Sequence, residues 1–364
     1  MSFLKGTVSL AGAVVIVGAA FGQGALVPPG PPAVTMKTLD QVGPRIPISS
    51  VPFRITTPGS YYLTNNLIGV ALTNGITFLS SDAILDLNGF ALIGAPNSYS
   101  GIAVTGNRTN LVVRNGTVRG WGSHGVDLSG GASTANVLAE GLIISSNSFD
   151  GIITHQDAIV RDCCVRNNGQ YGILVYSGRV SGCVSENNGG PGIYAWTTTE
   201  IDNCMVRFNG GGFPAAWAGI SAGDHSIVTG CIASYNGGTN SGIGILVSFH
   251  VRVENCVANF NRSDGIRAAV ECTILNNHAS ANGTANASAA GIHATGNYNR
   301  IEGNHTRDNS GYGILSDGGP GVDVIIGNSS GGNGSLDFSP SSGATFGPIQ
   351  SPATMTNAWG NILF

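Results

Sequence analysis

A glycine followed by isoleucine or valine returns along most of the chain, with the glycine at positions 75, 101, 125, 151, 172, 192, 219, 244, 265, 291 and 313. A period of 20 to 27 residues marks a stacked repeat, and it takes precedence over any local reading. In the second half a further rule appears, cysteine followed five residues later by asparagine: Cys163/Asn168, Cys183/Asn188, Cys204/Asn209, Cys231/Asn236, Cys256/Asn261 and Cys272/Asn277. Asn304/Asn309 and Asn328/Asn333 keep the spacing with asparagine in place of cysteine. The residue before each first member is Asp162, Gly182, Asn203, Gly230, Asn255, Glu271, Gly303 or Gly327. Glu271 apart, these are the types that best tolerate a left-handed bend, so a chain corner is predicted there, with the next side chain aimed inward.

Between the anchors lie short alternations such as GILV, RVSG and EIDNC, too brief for a helix and bounded by Gly, Asn or Ser. Each repeat has room for three strands of about three to five residues. So small a unit cannot bury its apolar face alone, and stacking joins the inward residues of successive units into one core. In the stretch 172–175, Ile173 and Val175 are expected to point inward, with Leu174 and Tyr176 outward. Parallel connections of this kind coil right-handedly. The expected fold is all-β, a right-handed single-stranded parallel β-helix of about eleven coils spanning 53–345.

The flanks read differently. Lys5 followed by the apolar run Leu10 to Phe21 and the small residues of Ala20-Phe21-Gly22 predicts an export signal over 1–22. That run is shorter than the about 20 residues a bilayer requires, so no stable membrane insertion is expected. The protein is expected to be secreted or periplasmic, with association at the cell surface as a variant of that location. Residues 23–52 carry Pro28, Pro29, Pro31, Pro32, Pro44 and Pro47 and predict an extended lead-in. Residues 346–364 are expected to cap the last coil with the stretch from Trp359 to Phe364. With a formal net charge of -4, nucleic acid is excluded as a partner, because phosphate binding needs a basic excess.

The strings I-E-G-N-x4-N and V-E-N-C-x4-N, together with the Gly-Ile anchors, resemble the parallel β-helix repeats of the pectate-lyase-like superfamily. The resemblance runs from about Asn74 to Asn333, and TTPGSYYLTNNL at 56–67 looks like the strand that closes the N-terminal end of such helices. It implies the fold. It leaves the reaction open, because that superfamily holds lyases, hydrolases, epimerases, phage tailspikes, adhesins and proteins with no known reaction.

Six of the seven cysteines share one position of the repeat and are expected to stack as buried thiols about 4.8 Å apart, their parallel side chains disfavouring the disulfide torsion. Cys164 points away from that file and is the candidate reactive thiol. No cysteine pair or histidine has ligand spacing, so no metal and no cofactor is expected. The asparagine file predicts an amide ladder from coil to coil. Asn261-Arg-Ser and Asn304-His-Thr match the glycosylation rule, as a turn-rich sequence does by chance.

For a site, the outer face of a sheet is the natural place for a long ligand. Positions four after the anchor glycine put His155, Tyr176 and Trp196 in one file, with Tyr194 beside Trp196, and the loop 210–218 brings Phe213 and Trp217 to the same edge. Two readings stand open: the rings line a saccharide-binding face, or they pack beneath that loop. Catalysis is less legible. Glycoside hydrolysis needs facing carboxylates, and the outward columns hold only Asp127 and Asp317, at opposite ends. Asp150 and Asp264 read as turn residues, and Arg267 has no acidic cluster around it. The string Asp150 to Asp157, with His155 between two carboxylates, is faintly similar to the Asp-Pro-His-Asp string of alginate epimerases, which makes Asp150, His155 and Asp157 candidates for acid-base chemistry. The sequence thus points to an exported β-helix that engages a polysaccharide, as a binder or as a lyase, epimerase or hydrolase. The alternatives are a structural or adhesive solenoid, or a periplasmic accessory protein of the NosD type.

Overall fold

The computed structural model describes residues 45–211, 218–238, 242–319 and 321–364. The export signal at 1–22, the lead-in as far as residue 44, and Phe213 and Trp217 lie outside the described residues. Every Gly-Ile or Gly-Val anchor lies in or opens a strand of a thirteen-stranded sheet that runs from Phe53–Ile55 to Phe338–Ser339. Ile152, Ile173, Ile193, Ile220 and Ile245 pair in parallel register along it, each fully buried. Alternation holds as expected: Ile173 and Val175 are buried, Leu174 is half-buried and Tyr176 faces out.

The other two strands of each coil form two further columns. They merge into one sheet because Thr109–Arg119 and Ala135–Ser145 run across both, bending at Asn115 (φ 57°) and Gly141 (φ 60°). The result is a right-handed parallel β-helix of about 12 turns. Counting anchors gives eleven because the two end strands, Phe53–Ile55 and Phe338–Ser339, carry no Gly-Ile.

Pairing also begins earlier than the sequence indicates. Arg45–Ile48, within the stretch read as lead-in, lies parallel to Gly59–Leu63 and buries Ile48 completely. Pro47 is tolerated because this strand is an edge among the described residues, where a missing N–H costs no ladder bond. At the other end Asn361–Leu363 lies beside Ser329–Gly331. Asn361 is fully buried there, while Trp359 and Phe364 are exposed and the Phe364 ring meets His305 edge-on at 6.1 Å.

The cysteine file differs from expectation in one member. Cys163, Cys183, Cys204, Cys231 and Cys256 form it, and the next residue is Asn277, whose Oδ1 accepts the Cys256 N–H at 2.9 Å. Cys272 belongs to the preceding corner, where its own N–H donates to Asn299 Oδ1 at 2.9 Å. The misreading has a geometric cause: successive corners along one coil are also five residues apart, so Cys272 to Asn277 fits the spacing one corner too early. The amide partner of Asn277 on its own coil is Asn282. With Asn276 (φ 53°) replacing Glu271, every corner residue in the file is Asp, Gly or Asn and is left-handed. Glu271 (φ 56°) turns the earlier corner, with its carboxylate 2.5 Å from His250 Nε2.

All seven cysteines are free thiols. In the file each Sγ donates to backbone carbonyls, Cys183 to Ser181 O at 3.3 Å and Val160 O at 3.7 Å. The Cys204 thiol and burial push Cys231 up to about 12, and Cys183, Cys204 and Cys256 are shifted upward for the same reasons. Such thiols are inert. A thiol reagent is expected to find at most one fast group, the half-buried Cys164, in the native protein and seven after denaturation without reductant; fewer than six would establish disulfides.

The amide ladder has nine members, Asn147, Asn168, Asn188, Asn209, Asn236, Asn261, Asn282, Asn309 and Asn333, each Nδ2 bonding the next Oδ1 at 2.9 to 3.2 Å. Asn277, Asn304, Asn328 and Asn361 make a second one. Asn261 and Asn304 are therefore buried ladder rungs, inaccessible as glycosylation acceptors.

Candidate functional site

The predicted ring file exists and is a continuous stack. His155 and Tyr176 lie 4.8 Å apart with planes at 4°, Tyr176 and Trp196 6.1 Å apart at 6°. This geometry alters what the file can bind. Rings that face one another along the solenoid axis use their π faces on each other and offer mainly edges to solvent. The exception is the end of the stack. The position after Trp196 in the file is Gly223, fixed by the pairing of Ala195 with Ala222 and Thr197 with Asp224. No side chain fits there, since a Cβ on Gly223 would lie 1.7 Å from Trp196 O. Among the described residues one indole face is thus left free, and Trp196 is 56% exposed.

That face opens onto a groove of about 340 Å³ lined by Tyr194, Trp196, Ser221, Asp224, Leu246 and Ser248. Tyr194 is inclined at 55° to the indole, 6.1 Å away, and is backed by Tyr171 at 5.3 Å. The Ser248 hydroxyl and the Phe249 N–H, the latter at 3.2 Å, hold the Asp224 carboxyl below its usual range, helped by His225 and His250. The groove therefore combines an aromatic face, two hydroxyls and an ionised carboxylate. Asp224 was not legible as a site residue because it falls five after Gly219, past the outward positions that the anchor count reaches.

The acid-base candidates do not converge. Asp150 precedes Ile152–Thr154, with its buried carboxylate accepting the Tyr171 N–H at 2.9 Å and lying 3.1 Å from His124 Nδ1. His155 follows the same strand, five residues and about 16 Å further along an extended chain. Asp157 (φ 50°) turns the next corner, its N–H donating to Ser177 Oγ at 3.3 Å. Closeness in sequence is closeness along an extended strand, which separates its ends. Asp150 acts as the turn residue expected of it, and His155 Nδ1, although buried, has no hydrogen-bond partner.

A second constellation lies further along the same outer face, around Arg267. Asp264, with a side chain 1% exposed, sits 2.6 Å from Arg267 Nη2 and 3.1 Å from His293 Nδ1, while His293 Nε2 reaches Asp317 at 3.0 Å. Burial works to raise the Asp264 carboxyl, yet His293 and Arg267 bring it below its usual range. Burial likewise opposes charge on His293, and Asp264 with Asp317 raises it. Asp264, Arg267 and His293 are engaged with one another, and Asp264 also accepts the Ala290 N–H at 2.8 Å, so the set pins neighbouring coils, with Asp317 at its exposed rim. Asp264 keeps its turn role and gains a charge role that its position before an anchor does not reveal. Among the described residues no group of three His, Cys, Asp or Glu is placed to hold a metal ion.

Comparison with known proteins agrees on architecture. The family model described as "Right handed beta helix region" matches residues 53–210. No curated protein matches the sequence. Among solved structures, the chain is similar to the A-module of the mannuronan C-5 epimerase AlgE4 of Azotobacter vinelandii, with TM-score 0.57 and 16% identity over 83% of this chain and 90% of that one. The AlgE6 A-module of the same organism gives 0.48 at 17% identity, covering 84% and 91%, and the Agl-KA catalytic domain 0.48 at 15%, covering 88% and 62%. At these identities the likeness is one of fold.

Proposed function

We propose that this right-handed parallel β-helix is an exported protein that engages a polysaccharide, with one sugar ring on the free face of Trp196. The observation that carries this reading is the end of the ring stack: a half-exposed indole over a glycine, beside a groove with hydroxyls and a carboxylate. A pyranose presents an apolar CH face and a hydroxyl rim, which matches an aromatic plane flanked by Ser221, Ser248 and Asp224. Tyr194 closes one side, and Tyr176 and His155 hold the indole plane in place. The groove supplies one carboxylate rather than an opposed pair, which favours binding over hydrolysis. Mannuronan, named for the epimerase modules of like fold, is the first polymer to test.

A glycan array with the mature protein, paired with a reducing-end assay, tests both halves of the reading. One stacked ring contributes about 1 kcal/mol, so Trp196→Ala is expected to weaken binding several-fold to about tenfold. Because the indole is 56% exposed, its melting transition is expected to stay close to that of the parent. A large loss of stability in Trp196→Ala, with no glycan bound by the parent, would leave the stack a purely structural device.

A further inference from the structure

A second ring stack, not foreseen from the spacing of the repeat, stands on a different corner of the solenoid. Phe208, Tyr235 and Phe260 follow one another on successive coils, with centroids 5.2 and 4.9 Å apart and planes at 17° and 6°. All three are exposed, and all three are left-handed, with φ of 58°, 55° and 55°. Elsewhere in this corner file stand Ser146, Asn167, Asn187, Ala281, Asp308 and Gly332, most of them small or polar. Bulky aromatic residues are poorly suited to left-handed backbone, and solvent gives no reason to display them. Strain and exposure coincide on three consecutive coils, a combination that accumulates at functional sites.

The file continues beyond Phe208 as a row of polar side chains. Asn187, Asn167 and Ser146 occupy the preceding coils and line, with Phe208, an open groove of about 690 Å³. The side chains of Asn167 and Asn187 are exposed and make no hydrogen bond among the described residues, unlike the ladder amides of Asn168 and Asn188 beside them. Arg207, paired with Glu186 at 3.3 Å, flanks the ring at 5.9 Å from its centroid. We propose that this corner is a second saccharide site, taking a neutral glycan that runs along the axis over Asn167 and Asn187 and ends against the Phe208 ring. Free amides one coil apart offer donors and acceptors to successive hydroxyls, and the ring offers the stacking surface. The site stands on residues separate from the groove at Trp196 and does not rest on that reading.

The test titrates cellohexaose, laminarihexaose and mannohexaose, with a mannuronan hexamer as the charged comparator, into the full mature chain, Trp196→Ala, Phe208→Asn and the double variant, measuring heat of binding and melting temperature. Asparagine is at ease in a left-handed corner, so Phe208→Asn is expected to melt at or above the parent temperature. In the Trp196→Ala background it is expected to weaken a neutral glycan about tenfold. If Phe208→Asn lowers the melting temperature and leaves affinity untouched, the stack is structural and the proposal fails. If Trp196→Ala alone removes all neutral-glycan binding, the second site is refuted and the first stands. If Phe208→Asn alone removes all binding, the first falls and the second stands. A parent that binds no neutral glycan refutes the second site, whatever mannuronan does at the first.

Discussion

Asn209→Ala is expected to destabilise the protein by about 4 kcal/mol, because one buried amide here serves three coils. Its Nδ2, with two N–H groups, has three acceptors within reach, Ser185 O at 2.9 Å, Arg207 O at 3.0 Å and Asn236 Oδ1 at 3.2 Å. Its Oδ1 accepts both the N–H and the Nδ2 of Asn188 at 3.0 Å. The side chain is 1% exposed, so water cannot replace what is lost. Alanine leaves the Asn188 N–H and the Ser185 carbonyl without these partners, at about 1 to 3 kcal/mol for each buried unsatisfied group. A solenoid is held by nearest-neighbour contacts, so a break at the centre of the ladder also weakens cooperation between the two halves. Urea unfolding is therefore expected to show a lower midpoint and a shallower slope. A loss below about 1 kcal/mol with an unchanged slope would mean that the backbone ladders carry the stack without the amides.

Coil, corner and core were legible because each depends on a local requirement repeated many times. The Gly-Ile anchor marks one sheet, inward alternation marks the core, and Gly, Asn or Asp marks a left-handed corner. Register at Cys272 was not legible, since the distance between corners equals the distance that defined the motif. The ring file His155, Tyr176 and Trp196 followed from counting outward positions, yet the plane of each ring did not, and the planes decide which face a ligand can reach. Phe208, Tyr235 and Phe260 were missed for the opposite reason: they sit at corners, where residue type usually reports on backbone conformation and so hides a surface role. The Asp264, Arg267 and His293 set was missed because it joins a turn residue to the outward column across coils, a contact that spacing within one repeat does not encode.

An anchor glycine and a corner glycine yield the sharpest contrast between two uses of one residue. Gly172 is not left-handed, so its requirement is space: a Cβ there would lie 2.2 Å from Ser185 Oγ, 2.5 Å from Gly192 O and 2.7 Å from Asn188 Nδ2. Two of those atoms belong to the buried polar ladder and one to the backbone of the next coil, so none can yield without opening the coil spacing. Gly172→Ala is expected to cost about 3 kcal/mol, and Gly172→Val more, since added volume in a packed interior grows costlier with size. Gly182 is left-handed at φ 60°, and its nearest neighbour is the side-chain oxygen of Asp162 at 2.7 Å, the equivalent residue one coil earlier. Asparagine already occupies that corner at Asn203, Asn255 and Asn276 with φ near 53°. Gly182→Asn is therefore expected to change stability by less than about 1 kcal/mol. Denaturant unfolding of both variants separates the cases. A Gly172→Ala protein as stable as Gly182→Asn would show that the close approach at the anchor relaxes freely, and that the Gly-Ile rhythm reflects something other than the spacing of coils.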